Sequence, residues 1–176
     1  MTPDPIALLE ALERRSLARA QGLPLKVEVK PTWTGIGFRL GDNALVTSLE
    51  EIKEILPYPG LTRIPEAPAW IKGIANIRGN LLPVMDLRAH LKGEETPITS
   101  RCKVVVTSHK EVTAGFLVDE VLGLQHFLLE EQAGNAVILD PALRPYIIGA
   151  FQREKLLWGV FSFQKVIVHP AFLEVA

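Results

Sequence analysis

At 176 residues and 48% apolar, the chain is long enough to bury a substantial core and too apolar to be disordered throughout. Nineteen basic side chains against twenty acidic ones leave a net charge of −1, which excludes a general electrostatic pull toward nucleic acid or anionic lipid. The single cysteine, Cys102, excludes an internal disulfide and any thiolate-rich metal site, and within RCKVVV it reads as a small hydrophobe.

The chain opens with a predicted helix. Asp4 can cap it, Pro5 suits its first turn, and Gly22 followed by Pro24 ends it. Ile6, Leu9, Leu12 and Leu17 fall on one side, widened by Leu8, with Glu10 and Arg14 opposite. Such a face docks either on its own domain or on a partner. MTPDPIALLEALERR has neither the basic region nor the cleavage site of a signal peptide, and no stretch has the apolar length of a membrane span, so a cytoplasmic protein is expected. Residues 22–31 read as an extended linker, so the expected division is 1–30 and 31–174.

From Trp33 the pattern turns to strands. TGIGFRL, the turn Gly41-Asp42-Asn43 and ALVTSL make a hairpin signature. EEIKEIL fits a strand and a short helix equally, and IPEAPAW, with Pro65 and Pro68, is extended and superficial. WIKGIANI and LLPVMDL are apolar runs separated by Arg-Gly-Asn, and Pro83 argues that the second is an edge strand or bulged. LRAHLKG is a short helical turn ending at Gly93. KVVVTS, VTAGFLVDEVLGL, AVILDP, LRPYIIGAF and LLWGVFSF continue the strand–turn rhythm, and the chain closes with a short helix interrupted at Pro170. This rhythm favours small barrels over a sheet covered by helices. Similar strand–turn–strand beginnings at 34–48 and 103–118 suggest two related halves.

Motifs that carry chemistry are missing. His90, His109, His126 and His169 form no i, i+4 pair, and neither Gly73/Gly79 nor Gly35/Gly37 completes a phosphate or dinucleotide loop. No G-x-S-x-G elbow occurs, and Asp119 and Glu120, as strand neighbours, face opposite ways. The chain therefore reads as a non-enzyme without metal or cofactor. Arg78 poses a sharper question. Between two runs built for burial, a guanidinium needs either an acceptor inside or a partner outside.

The segment LTRIPEAPAWIKGIANIRGNLLPVMDLRAHL resembles the signature of the CheW-like chemotaxis coupling proteins, through Thr62, Ile64, Pro65, Trp70, Ile71, Gly73, Asn76, Ile77, Arg78, Gly79, Leu81, Pro83, Asp86, Leu87 and Arg88. GFLVDEVLGL, with Gly115, Val118, Asp119 and Val121, and the stretch 157–163 extend the likeness over about residues 33 to 170. The N-terminal extension LLEALERRSLARAQGLP resembles the PilI-type branch, which serves type IV pili and twitching motility.

The resemblance implies a mainly β fold of two intertwined five-stranded SH3-like barrels around a shared core, with an N-terminal helix and a short C-terminal helix. It implies an adaptor without cofactor or catalysis, joining the cytoplasmic tip of a methyl-accepting chemoreceptor to the regulatory domain of a CheA-type histidine kinase. Such a protein is cytoplasmic and recruited to membrane-bound receptor arrays, without entering the membrane itself. On this reading Arg78, Asn76 and Gly79 form the receptor face. Gly79 permits the tight turn, Asn76 fastens it, and Arg78 offers a forked donor set. Arg78 as an internal clamp between the barrels is the competing reading. Ile52, Glu54 and Ile55 lie on the kinase-facing strand by the same resemblance, or else are ordinary edge packing. Leu8, Leu9 and Leu12 are the candidate grip of a partner helix.

Two other classes stand against this one. A small barrel that binds nucleic acid would want clustered Lys/Arg with interleaved aromatics, and the chain has no such stripe. An enzyme with a dispersed site would want a deep pocket with convergent polar groups. Within the favoured class, flagellar chemotaxis competes with pilus control.

Overall fold

Alternation of buried and half-buried residues makes β1 (Thr32–Leu40) and β2 (Asn43–Ser48) a hairpin, turned at Gly41 with φ +59°. The computed structural model describes residue 6, residues 30–134 and residues 140–173; the chain divides into two units at Lys30/Pro31, and the fold is that of the second. EEIKEIL resolves into both expected forms, a 3-10 turn at Leu49–Glu51 and then β3 (Ile52–Pro57). After the largely exposed 61–70 segment come β4 (Ile71–Ile77), β5 (Asn80–Asp86) and helix α1 (Leu87–Lys92), which stops at Gly93 with φ +72°. The second half repeats this series. It runs through β6 (Lys103–His109), β7 (Val112–Val118), β8 (Glu120–Leu128), the two-residue β9 (Gln132–Ala133), β10 (Ile147–Arg153) and β11 (Leu156–Phe161). It closes with α2 (Phe163–Ile167) and α3 (Pro170–Leu173), which begins at the expected Pro170 break. Of the expected strand AVILDP, residues 136–139 lie outside the described residues, and Pro141–Tyr146 is a 3-10 helix.

The two halves exchange strands. One sheet has the order β8-β1-β2-β11-β10-β9 and the other β3-β6-β7-β5-β4. In each, a hairpin from one half is flanked by strands of the other: β1–β2 by β8, β11, β10 and β9, and β6–β7 by β3, β5 and β4. The parallel pairs β11·β2 and β5·β7 occupy matching places. The five strands implied for each barrel are therefore present, and β9 adds a sixth to one. Asp86 and Ser162, at the ends of the corresponding β5 and β11, both cap the helix that follows, accepting from Ala89 N and Lys165 N.

This exchange explains the unbroken apolar runs. Val104, Val105 and Val106 are all buried, because Val105 faces the core shared by both sheets while Val104 and Val106 face a second cluster of the five-stranded sheet. Ala44, Leu45 and Val46 do the same in the six-stranded sheet. Strand side chains alternate, so a strand between two apolar layers must be apolar at every position. Phe38, Phe116, Phe161 and Phe163 fill the shared core, with ring centroids 5.1–5.8 Å apart in their close pairs.

The edge-strand reading of Pro83 is corrected. β5 lies inside its sheet, between β7 and β4. Its ladder to β7 begins at Val84, one residue past the proline, and the irregularity of the β4–β5 pair falls at Ile71/Gly73.

Candidate partner-binding site

Arg78 and Gly79 are the two central residues of the β4–β5 turn, which joins the register pair Ile77↔Asn80. Both have positive φ, 52° and 86°, the conformation that matches the twist of a two-residue hairpin. Glycine adopts it freely, whereas arginine there costs about 1 kcal/mol. The Asn76 side-chain oxygen accepts from Gly79 N at 2.9 Å and fastens the turn, as its sequence position implied.

The turn lifts Arg78 out of both apolar runs, leaving its side chain 78% exposed. Its Nη2 donates to Glu54 Oε1 at 2.7 Å, and Glu54 is 31% exposed. Glu54 lies on β3 and Arg78 follows β4, the two end strands of the five-stranded sheet. The ion pair therefore links the sheet's two ends on its surface. Arg78 is a clasp within one barrel, which corrects the alternative of an internal clamp between the barrels. Beside the pair lies an open groove of about 430 Å³, lined by Leu56, Ile77, Leu82 and Val106, with Leu81 73% exposed at its side.

Glu54 thus meets Arg78, 24 residues away, while Ile52 and Ile55 part from both. Ile52 packs against the shared core. Ile55 lies opposite Val105, a shared-core residue, and Glu54 lies opposite Val106 of the second cluster. Alternation then puts Ile55 and Glu54 on different faces. A register shift between Ile52 and Glu54 explains why Ile52 and Ile55 share a side. Neither groove residue, Leu56 nor Leu81, was assigned to a site from the sequence, although Leu81 carried part of the family likeness; the period-2 pairing of Glu54 with Leu56 was the signal for the first. Leu8, Leu9 and Leu12 lie outside the described residues.

The matching hairpin of the other barrel shows what a fully engaged clasp looks like. Arg153, at the end of β10, donates to both carboxylate oxygens of Glu131 at 3.1 and 3.3 Å and to the His126 carbonyl. It also lies 4.3 Å from the Phe127 ring centroid. The Arg153 bonds, with Leu128 N–H, hold the Glu131 carboxyl below the usual carboxylate range. Arg153 is spent on its own barrel. Arg78 makes one hydrogen bond, and most of its five N–H donors stand open to solvent.

The remaining polar groups do not converge on chemistry. Asp119 accepts from Gly41 N at 2.9 Å, and Glu120 stands 3.9 Å from Arg39. Cys102 is buried and donates to the Pro97 carbonyl. Among the described residues no group of three His, Cys, Asp or Glu could hold a metal ion, and no helix is long and apolar enough to cross a membrane.

Two exchanged barrels, each closed by an arginine on its β-hairpin, match a known class. Residues 34–171 match the CheW-like domain, and the chain belongs to that family. Along nearly its whole length it is similar to a particular relative, the protein PilI of Pseudomonas aeruginosa, at 41% identity over 172 residues, covering 98% of this chain and 96% of PilI. FrzA of Myxococcus xanthus is 35% identical over 101 residues, 57% of this chain and 63% of that protein. The chemotaxis protein CheW of Bacillus subtilis is 29% identical over 96 residues, 54% and 62% of the two chains. The crystal structure of the scaffolding protein TtCheW from Thermoanaerobacter tengcongensis has the same fold, with a TM-score of 0.66 at 18% identity, over 78% of this chain and 93% of that one.

Proposed function

We propose that the protein is a non-catalytic signalling adaptor that couples a methyl-accepting chemoreceptor to a CheA-type histidine kinase in the control of type IV pilus twitching. The observation that carries this reading is the likeness to PilI over 98% of the chain, which includes the N-terminal extension as well as the CheW-like domain. The adaptor needs no cofactor, binds no nucleic acid, and reaches the membrane only through the receptor.

Arg78, held out on a turn fastened by Asn76 and Gly79, offers its open donors to carboxylates or carbonyls of the receptor tip. The β3 edge presents Glu54 to the kinase's regulatory domain, while Ile52 and Ile55, on the other side of the strand, seat that edge. Leu8, Leu9 and Leu12 supply an additional grip. The Arg78–Glu54 pair then sits where the two partner surfaces meet.

The test is capture with the full-length protein as bait in its native host, beside the Glu54→Lys variant. A histidine kinase and a chemoreceptor of the pilus system are expected with the wild type, and the variant loses kinase more than receptor through charge reversal at an exposed edge. Capture of flagellar partners instead would reassign the pathway, and capture of neither partner would overturn the adaptor reading.

A further inference from the structure

The least expected polar group in the fold is Glu51, only 9% exposed, in the crossover from the six-stranded to the five-stranded sheet. Its Oε1 accepts from Ser162 Oγ at 2.7 Å, and its Oε2 accepts from Phe163 N at 2.6 Å and Gln164 N at 3.3 Å. Its own carbonyl accepts from Thr107 Oγ1 at 2.6 Å. One residue therefore joins the start of β3 to the first turn of α2, more than a hundred positions away, and to the neighbouring strand β6. The next residue, Ile52, pairs with that same Thr107, and the register then slips before Glu54.

β3 is an end strand with a ladder on one side only, to β6. Such a strand is fixed by that one ladder and by the apolar packing of Ile52 and Leu56, and an irregular ladder weakens the first of these. Beyond Glu51, the side-chain hydrogen bond that holds β3 is Arg78–Glu54. The corresponding crossover, β7 to β8, meets its helix more loosely: Asp119 accepts from Gly41 N and stands 3.9 Å from the Arg88 guanidinium in the first turn of α1, whereas Glu51 bonds directly to the α2 backbone. Of these two crossovers, the one before β3 carries the buried carboxylate bonded to a helix backbone.

We propose that Glu51 is a positioning residue for the partner-facing edge: its carboxylate sets where β3 stands relative to α2, and so where Glu54 is presented. The role in partner binding rests on the adaptor reading, whereas the mechanical role does not. Two buried acids then have different tasks. Asp86, fully buried, accepts from Ala89 N and from Thr96 N and Oγ1 and stands 3.6 Å from Lys72 of β4, tying α1 to the loop behind it, with no hydrogen bond or ion pair to β3.

Amide hydrogen exchange on full-length protein separates positioning from mere stability. Glu51→Gln keeps the shape and replaces charge-assisted bonds by neutral ones, so exchange along Ile52–Leu56 is expected to rise about three- to tenfold while β4, β10 and β11 stay as in the wild type. Ser162→Ala, which removes one donor and keeps the carboxylate, moves the same amides in the same direction by less. Asp86→Asn loosens α1, the Thr96 loop and the Lys72 end of β4, and leaves β3 unchanged. A rise spread evenly over both sheets, an unchanged β3, or an equal effect of Asp86→Asn on β3 would each overturn the proposal. Kinase capture by the Glu51→Gln protein should fall several-fold, with receptor capture retained. A wild type that captures no kinase would defeat the adaptor reading, and the exchange pattern would still decide the role of Glu51.

Discussion

Replacing Arg78 by alanine separates what this residue does for the fold from what it does for a partner. The side chain is 78% exposed, so its removal leaves no cavity. What is lost inside the protein is one surface ion pair with Glu54, a contact worth about 0.2–1 kcal/mol. The turn keeps its geometry, because Asn76 still holds Gly79 N and alanine inherits the same positive φ. The expected cost is therefore below about 1 kcal/mol, a melting shift of about 2–4 °C for a domain of this size. Urea titrations of Arg78→Ala, Glu54→Ala and the double variant should yield a coupling energy in that same small range. Receptor capture, in contrast, should fall sharply. The charge-swapped protein, Arg78→Glu with Glu54→Arg, should recover the stability and not the capture. A loss beyond about 2 kcal/mol would show Arg78 to be structural, and normal capture by a stable Arg78→Ala protein would refute its interface role.

Two further predictions concern the scaffold. Gly73 has φ +139°, and a Cβ built there would stand 2.3 Å from the Thr62 carbonyl oxygen, a backbone atom engaged with Ile74 N at 2.9 Å. Gly73→Ala should cost about 3 kcal/mol in a urea titration, and a cost under about 1 kcal/mol would show that the 58–62 segment yields freely. Burial, and then the neighbouring His169, push the His90 imidazole below its usual 6.5, where it packs 4.5 Å from Trp70. The unfolded chain then takes up this proton first as pH falls. Stability present above about pH 6.5 is therefore lost below it, down to the folded-state value, with a slope of at most about 1.4 kcal/mol per pH unit. His90→Phe should flatten that slope in denaturant titrations between pH 7 and 5, and an unchanged slope would rule His90 out as its source.

By itself the sequence determined whatever is encoded within a few residues. The β1–β2 hairpin, the Arg-Gly-Asn turn, the stop of α1 at Gly93 and the restart at Pro170 were all legible. Turn and cap geometry depends on local φ, which Gly, Asn and Pro set directly. The paired beginnings at 34–48 and 103–118 were legible too, and they are the two hairpins that the sheets exchange. Only the tertiary structure decided which strands lie side by side. It placed Pro83 inside a sheet, turned Ile52 and Ile55 away from Glu54, and brought Glu54 to Arg78 and Glu51 to the α2 N-terminus. A run such as KVVVTS is apolar on both faces, so its pattern says that it is covered and not by what. Register and neighbour are fixed by contacts between residues tens to more than a hundred positions apart, and no local signal carries that pairing.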